Sequence, residues 1–167
     1  MEYKLRKTKT EDIDQVIQII NQAIAYMKDN NINQWQDGYP NNAAIELDIY
    51  NKEGYVLVDS NDVVVATCMV TTNGEPSYKV IDGKWLNSDD YICIHRIAVD
   101  SNYKGKQLAK VLVSKILNLF PDYHNVKVDT HDDNLSMQRF LEKNKFTYCG
   151  HITLNDGTLR KAYQLIY

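Results

Sequence analysis

The chain has 167 residues, 44% hydrophobic and 25% charged, a balance that fits one domain spanning residues 1–167 and burying about two thirds of its unfolded surface. A formal charge of −3 counts against a nucleic-acid partner, since a binding face usually drives a domain strongly basic. Cys68, Cys93 and Cys149 lack any CxxC or Cys/His ligand spacing, and the longest apolar run, Val63 to Val70, is far too short to cross a bilayer, so a cytoplasmic protein with free thiols, no metal and no membrane contact is expected.

Tyr3 to Arg6 alternates as a first strand. Thr10 stands as an N-cap with Glu11 and Asp12 at the positive helix start. Ile13, Val16, Ile17, Ile20, Ile24 and Met27 then form one apolar stripe, which Asn30 and Asn31 end. Ile32 to Pro40 is irregular, and Asn41 caps a second helix. Tyr55 to Asp59 and Val63 to Thr71 make a hairpin about Ser60-Asn61-Asp62. Tyr78 to Asp82 reads as a short strand closed by an Asp82-Gly83 turn.

Tyr91 to Val99 is an apolar strand, followed by a helix that begins near Gly105 and stops before Pro121. Val126 to Thr130 is a strand, and Asp133 or Asn134 opens a helix carrying Met137, Phe140 and Leu141. Two strands, Phe146 to Ile152 and Leu159 to Tyr167, close the chain about Asn155-Asp156-Gly157. The resulting order, β-α-α-β-β-(β)-β-α-β-α-β-β, predicts an α/β fold of α+β type: a three-layer αβα sandwich with a mixed, mostly antiparallel sheet and a crossover in the middle.

The stretch His95 to Ala109 concentrates the chemistry. A strand ends at Val99, a polar turn follows, and Gly105 between Lys104 and Lys106 precedes the next helix. Unpaired N–H groups and a partial positive charge at a helix start hold phosphate. By itself that cradle suits any phosphate-bearing ligand, a nucleotide included.

Lys104-Gly105-Lys106-Gln107-Leu108-Ala109 is similar to the acetyl-CoA motif Arg/Gln-x-x-Gly-x-Gly/Ala, with lysine at the first position and Gln107 at the central glycine. Asn134-Leu135-Ser136-Met137-Gln138-Arg139-Phe140-Leu141-Glu142-Lys143-Asn144-Lys145-Phe146 is similar to Asn-x-x-Ala-x-x-Leu-Tyr-x-Lys-x-Gly-Phe. On these motifs and the element order, the chain resembles the GNAT superfamily of acetyl-CoA-dependent N-acetyltransferases over nearly its whole length. The resemblance implies acetyl-CoA as cosubstrate, an amine acceptor that is a small molecule or peptide, and direct attack within a ternary complex. It implies a splay after the fourth main strand, with the backbone of Ile97, Ala98 and Val99 along the pantetheine arm. Lys104, Gly105, Lys106, Gln107, Leu108 and Ala109 would hold the pyrophosphate, and Asn134 the opposite wall. Leu141 stands where many members carry a tyrosine general acid, and a homodimer is compatible with the family.

Amine attack calls for a base, and histidine changes charge near neutral pH. Strand alternation puts His95 on one face with Cys93 and Ile97, making it the candidate base; a hydrogen-bonding role within a half-buried strand is the competing reading. Tyr148 is the tyrosine nearest in sequence to Leu141 and the candidate acid. Asp129 and His131, between strand and helix, are candidates to orient the acceptor, and they serve equally as a strand end and helix cap. Trp35 and Tyr39 are candidates for one acceptor wall, and the loop with Glu75, Tyr78, Asp82 and Trp85 for another. A non-catalytic acyl-CoA sensor is the alternative function.

Overall fold

The computed structural model describes residues 2–167. Its strands are β1 (Lys4–Lys7), β2 (Gly54–Val58), β3 (Val64–Thr71), β4 (Asp82–Gly83), β5 (Ile92–Val99), β6 (Asn125–Thr130), β7 (Thr147–Thr153) and β8 (Leu159–Ile166). They form one sheet in the order β1-β2-β3-β5-β6-β8-β7-β4, antiparallel throughout except between β5 and β6. Helices α1 (Ile13–Asp29), α2 (Asn42–Tyr50), α3 (Leu108–Leu119) and α4 (Leu135–Lys143) complete the expected mixed α/β architecture.

Why the sheet is covered on both faces is written in β2, whose five residues are all buried. Tyr55 and Leu57 join a core with Leu112 and Ile116 of α3 and Leu141 of α4. Val56 and Val58 turn the other way, against Val16, Ile19 and Ile20 of α1 and Ile45 of α2. Tyr78, Cys93, Ile152 and Ala162 form a third cluster on that second face. No helix is long and apolar enough to cross a membrane among the described residues.

Three local expectations are corrected. Thr10 does not cap α1: Thr10–Asp12 is a 3-10 turn, and the Asp12 carboxylate turns back to accept the Lys9 N–H at 2.8 Å and two hydrogen bonds from Arg6. Tyr78 to Asp82 is no strand, because Pro76 at the first position sets a 3-10 turn over Pro76–Lys79; Asp82 and Gly83, read as a turn, form β4 instead. Helix α3 begins at Leu108 rather than near Gly105, since Gln107 just ahead of it is left-handed at φ 55°.

Candidate active site

The site begins where β5 and β6 part company. They pair only at Ile92–Val126 and Cys93–Lys127, whereas β6 pairs with β8 along its full length and β5 with β3 as far as Val99. From Ile94 onward β5 has no strand on its β6 side, which leaves a crevice of about 40 Å³ walled by Ile94, Ile97, Val128, Thr130, Asn134 and Met137. Backbone groups along that open edge need partners other than a strand.

Within β5 the pairing to β3 slips between Thr67–Ala98 and Met69–His95, so Arg96 and Ile97 together oppose Cys68. Arg96 lies at φ 53°, a left-handed residue inside a strand. This bulge breaks the alternation. Ile97 packs on the α3 face with Ile94, while Ala98 packs with the α1 face. The expectation that His95 and Ile97 share a face is therefore wrong: His95 and Arg96 point together to the α2 side, and Ile97 lines the crevice.

A cavity of about 450 Å³ adjoins the crevice and shares Gln34, Trp35, Arg96 and Asp129 with it. The α1–α2 loop supplies Trp35, at φ 60°, and Tyr39; β5 supplies His95, β6 supplies Asp129, the β7–β8 turn supplies Asp156 and β8 supplies Arg160. Four of the expected site residues from three separate segments (Trp35 with Tyr39, His95 and Asp129) thus line one space.

Their partners give each a fixed orientation. His95 Nε2 lies 3.5 Å from the Glu75 carboxylate and is buried without a hydrogen-bond partner. The other Glu75 oxygen accepts from Ser77 N–H at 3.2 Å, anchoring it to the 3-10 turn. On the same turn the Tyr78 hydroxyl donates to Asp129 at 2.6 Å. Burial, then the Asp129 charge, holds the Tyr78 phenol well above its ordinary range, so it remains a donor. Arg96 donates to both oxygens of Asp48 at 2.5 Å and to the Tyr39 hydroxyl. Burial pushes the Asp48 carboxyl up, against the pull of Arg96.

The remaining candidates stand elsewhere. Lys104 to Gln107 form the loop before α3, with Gly105 at φ 80° and Gln107 at φ 55°. The Lys106 N–H donates to Tyr103 at 3.3 Å, so Leu108 and Ala109 lead the helix's unpaired N–H groups. Lys104 and Lys106 reach back over the rings of Tyr26 and Tyr103. Asn134 caps α4 by accepting the Met137 N–H at 3.1 Å and faces the crevice. His131 does not line the cavity: its Nδ1 accepts the Asp133 N–H at 3.0 Å.

Tyr148 lies apart from these residues, 46% exposed on β7, bonded to His151, which bonds in turn to Asp132. Leu141 is fully buried in the core. Of the second suggested wall, Glu75 lines the cavity and Tyr78 supports it, but Asp82 is in β4 and Trp85 covers the Lys127 ammonium at 4.0 Å. Sequence reasoning passed over Gln34 and Arg96. Arg96 carried a signal only in its adjacency to His95, since a bulge is invisible to period-two counting.

The family model described as acetyltransferase (GNAT) family matches residues 20–146. The crystal structure of a GNAT-family acetyltransferase from Streptococcus agalactiae matches with a TM-score of 0.89 at 31% identity, over 99% of this chain and 95% of that one. A GNAT-family acetyltransferase from Listeria monocytogenes matches at 0.75 and 17% identity, over 100% and 96% of the two chains. Ard1 from Thermoplasma volcanium matches at 0.71 and 16%, over 99% and 98%; these last two share the fold. No curated protein matches the chain.

Proposed function

Since the chain belongs to the GNAT acetyltransferase family, whose members are acyltransferases, we propose that it transfers an acetyl group from acetyl-CoA to an amine bound beside His95. One observation carries this reading: the crevice opened by the parting of β5 and β6 runs into the cavity that holds the His95–Glu75 pair. A thin ligand arm in the crevice and an amine in the cavity would then meet at β5.

The residues present fit acetyl-CoA. The open β5 edge at Ile97 to Val99 offers backbone groups to its pantetheine amides, and the crevice combines apolar side chains (Ile94, Ile97, Val128, Met137) with polar ones, Asn134 among them. Leu108 and Ala109 N–H groups, with Lys104 and Lys106 nearby, suit its pyrophosphate. When bound, acetyl-CoA supplies an acetyl group activated as a thioester.

The protein's own part is to position and deprotonate. The acceptor enters as an ammonium and gives a proton to His95 Nε2, a buried nitrogen without another partner. Glu75 then stabilises the imidazolium; the free amine would form the new C–N bond to the acyl carbon as the C–S bond breaks, and the second proton lost from that nitrogen would pass to the leaving thiolate. Confining amine and acyl donor to adjoining spaces supplies much of the rate.

The test is thiol release from acetyl-CoA across an amine panel. His95→Ala is expected to lower turnover about a hundredfold while leaving acetyl-CoA affinity nearly intact. Unchanged turnover at neutral pH removes His95 as the base. Tight acetyl-CoA binding by the wild type with no turnover on any amine would leave a sensor in place of an enzyme.

A further inference from the structure

The His95 wall has two sides. Beyond the cavity already described, a second one of about 440 Å³ opens on the opposite side of Tyr39, Glu75, His95 and Arg96. Its remaining lining includes Glu53 just ahead of β2, Met69 and Thr71 on β3, and Asn73 in the following loop. Nothing in the transfer chemistry requires this second space.

Its lining is acidic, and Lys7, the cation that feels the Glu53 charge, lies outside it. Arg96, the cation on the shared wall, is neutralised by its two-point pairing with Asp48. No ion pair reaches Glu53 among the described residues; its carboxylate accepts only the Asn73 amide, at 3.2 Å through one oxygen. Glu75 overlooks both spaces, and Asp37, Asp129 and Asp156 line the first together with Arg160. Met69 gives the second space an apolar side suited to methylene groups.

We propose that the second cavity is a subsite for a distal ammonium, and that the acceptor is a diamine or polyamine laid across the His95 wall. This rests on the reading that the reacting amine sits at His95. One amine faces the His95–Glu75 pair, the methylene linker lies along Met69, and the far ammonium meets Glu53. An acceptor that turns a carboxylate into the second cavity is disfavoured, because that carboxylate would face Glu53 and Glu75 while Arg96 is already paired with Asp48.

The experiment is calorimetric titration of the full chain, without acetyl-CoA, using butylamine, 1,4-diaminobutane and spermidine. The two oligoamines are expected to bind about tenfold tighter than butylamine, the gain from one added ion pair in a partly enclosed site. Glu53→Gln should remove that gain and leave butylamine unchanged, and Glu53→Lys should push oligoamine affinity below that of butylamine. Equal affinities for mono- and oligoamines, or oligoamine binding untouched by Glu53→Gln, overturn the subsite.

Thiol release with the same amines separates this from the transferase reading. Oligoamine binding that depends on Glu53 without any thiol release keeps the subsite and defeats the enzyme. Acetylation of butylamine at a rate matching the oligoamines, with Glu53→Gln silent, keeps the enzyme and defeats the subsite.

Discussion

The side-chain oxygen of Gln34 accepts a hydrogen bond from Asn134 Nδ2 at 3.0 Å, across the crevice between β5 and β6. The same oxygen lies 3.4 Å from both Thr130 Oγ1 and the His131 N–H. One carboxamide from the α1–α2 loop thus gathers three donors that an amide-bearing ligand arm in this crevice would also meet.

Competition follows from that overlap. Gln34→Ala leaves three donors short of an acceptor in the free protein, a cost of about 1–3 kcal/mol. Coenzyme A is expected to bind the variant several-fold tighter by calorimetry, because no internal contact has to be exchanged, while the unliganded variant melts earlier. Weaker coenzyme A binding would make Gln34 a ligand of the cofactor rather than its competitor.

Two residues hold left-handed backbone where the family motif carries glycine. Gln107 lies at φ 55° ahead of α3, and Lys145 at φ 72° after α4, where the Phe146 N–H reaches back to the Leu141 carbonyl at 3.0 Å. That bond closes the helix end with a left-handed residue just before it. A Cβ in this conformation costs about 1 kcal/mol. Gln107→Gly and Lys145→Gly are each expected to raise the thermal midpoint by about 2–4 °C, read by calorimetric melting. A lowered midpoint would mean the side chain contributes more than its backbone strain removes.

Those two positions also show what the sequence could reveal. A motif with Gln and Lys in place of glycine still marked the turns, because the surrounding apolar periodicity showed that helices lay beside them, although the left-handed Gln107 sets the start of α3 later than Gly105. The run Tyr55 to Asp59 was legible as a strand of a hairpin, and the structure buries all five residues of Gly54–Val58. The bulge at Arg96 was illegible, since its energy comes from a long-range pair with Asp48 rather than from neighbours in the chain. It moved Ile97 off the His95 face. Glu75 and Tyr78 lay in a stretch with no periodic signal, and only the packing of their 3-10 turn against β5 and β6 brings them to His95 and Asp129. Tyr148 was selected by closeness in sequence to Leu141, which says little about proximity in a sheet.

Gly150 and Gly83 hold the short strand β4 at the sheet edge. A Cβ on Gly150 would fall 2.1 Å from the Asp82 carbonyl oxygen, and one on Gly83 would fall 2.1 Å from that of Cys149. Either clash is with backbone and cannot be relieved by a rotamer change. Gly150→Ala is expected to detach β4, and with it the Lys84 N–H bond to Cys149 at 2.8 Å. Hydrogen exchange at the Lys84 amide should accelerate by an order of magnitude or more while exchange in β2 and β3 stays slow. Unchanged protection at Lys84 would show that β4 is held by other contacts.

Asp12 ties β1 to the start of α1, and its contribution depends on pH with a definite sign. Burial pushes its carboxyl up, but the hydrogen bonds from Arg6, at 2.7 and 3.0 Å, and from the Lys9 N–H outweigh that and hold it below the ordinary carboxylate range. A group whose folded value is depressed contributes stability above its unfolded value, about 3.9 for aspartate, and loses it as pH falls through the folded value. Asp12→Asn is therefore expected to cost about 1–3 kcal/mol at pH 7, through the lost charge-assisted bonds and a partly stranded guanidinium. Urea midpoints of the two proteins should then converge as the pH is lowered from about 4 towards about 2. A gap that stays constant over that range would place the effect in packing rather than in the ionised pair.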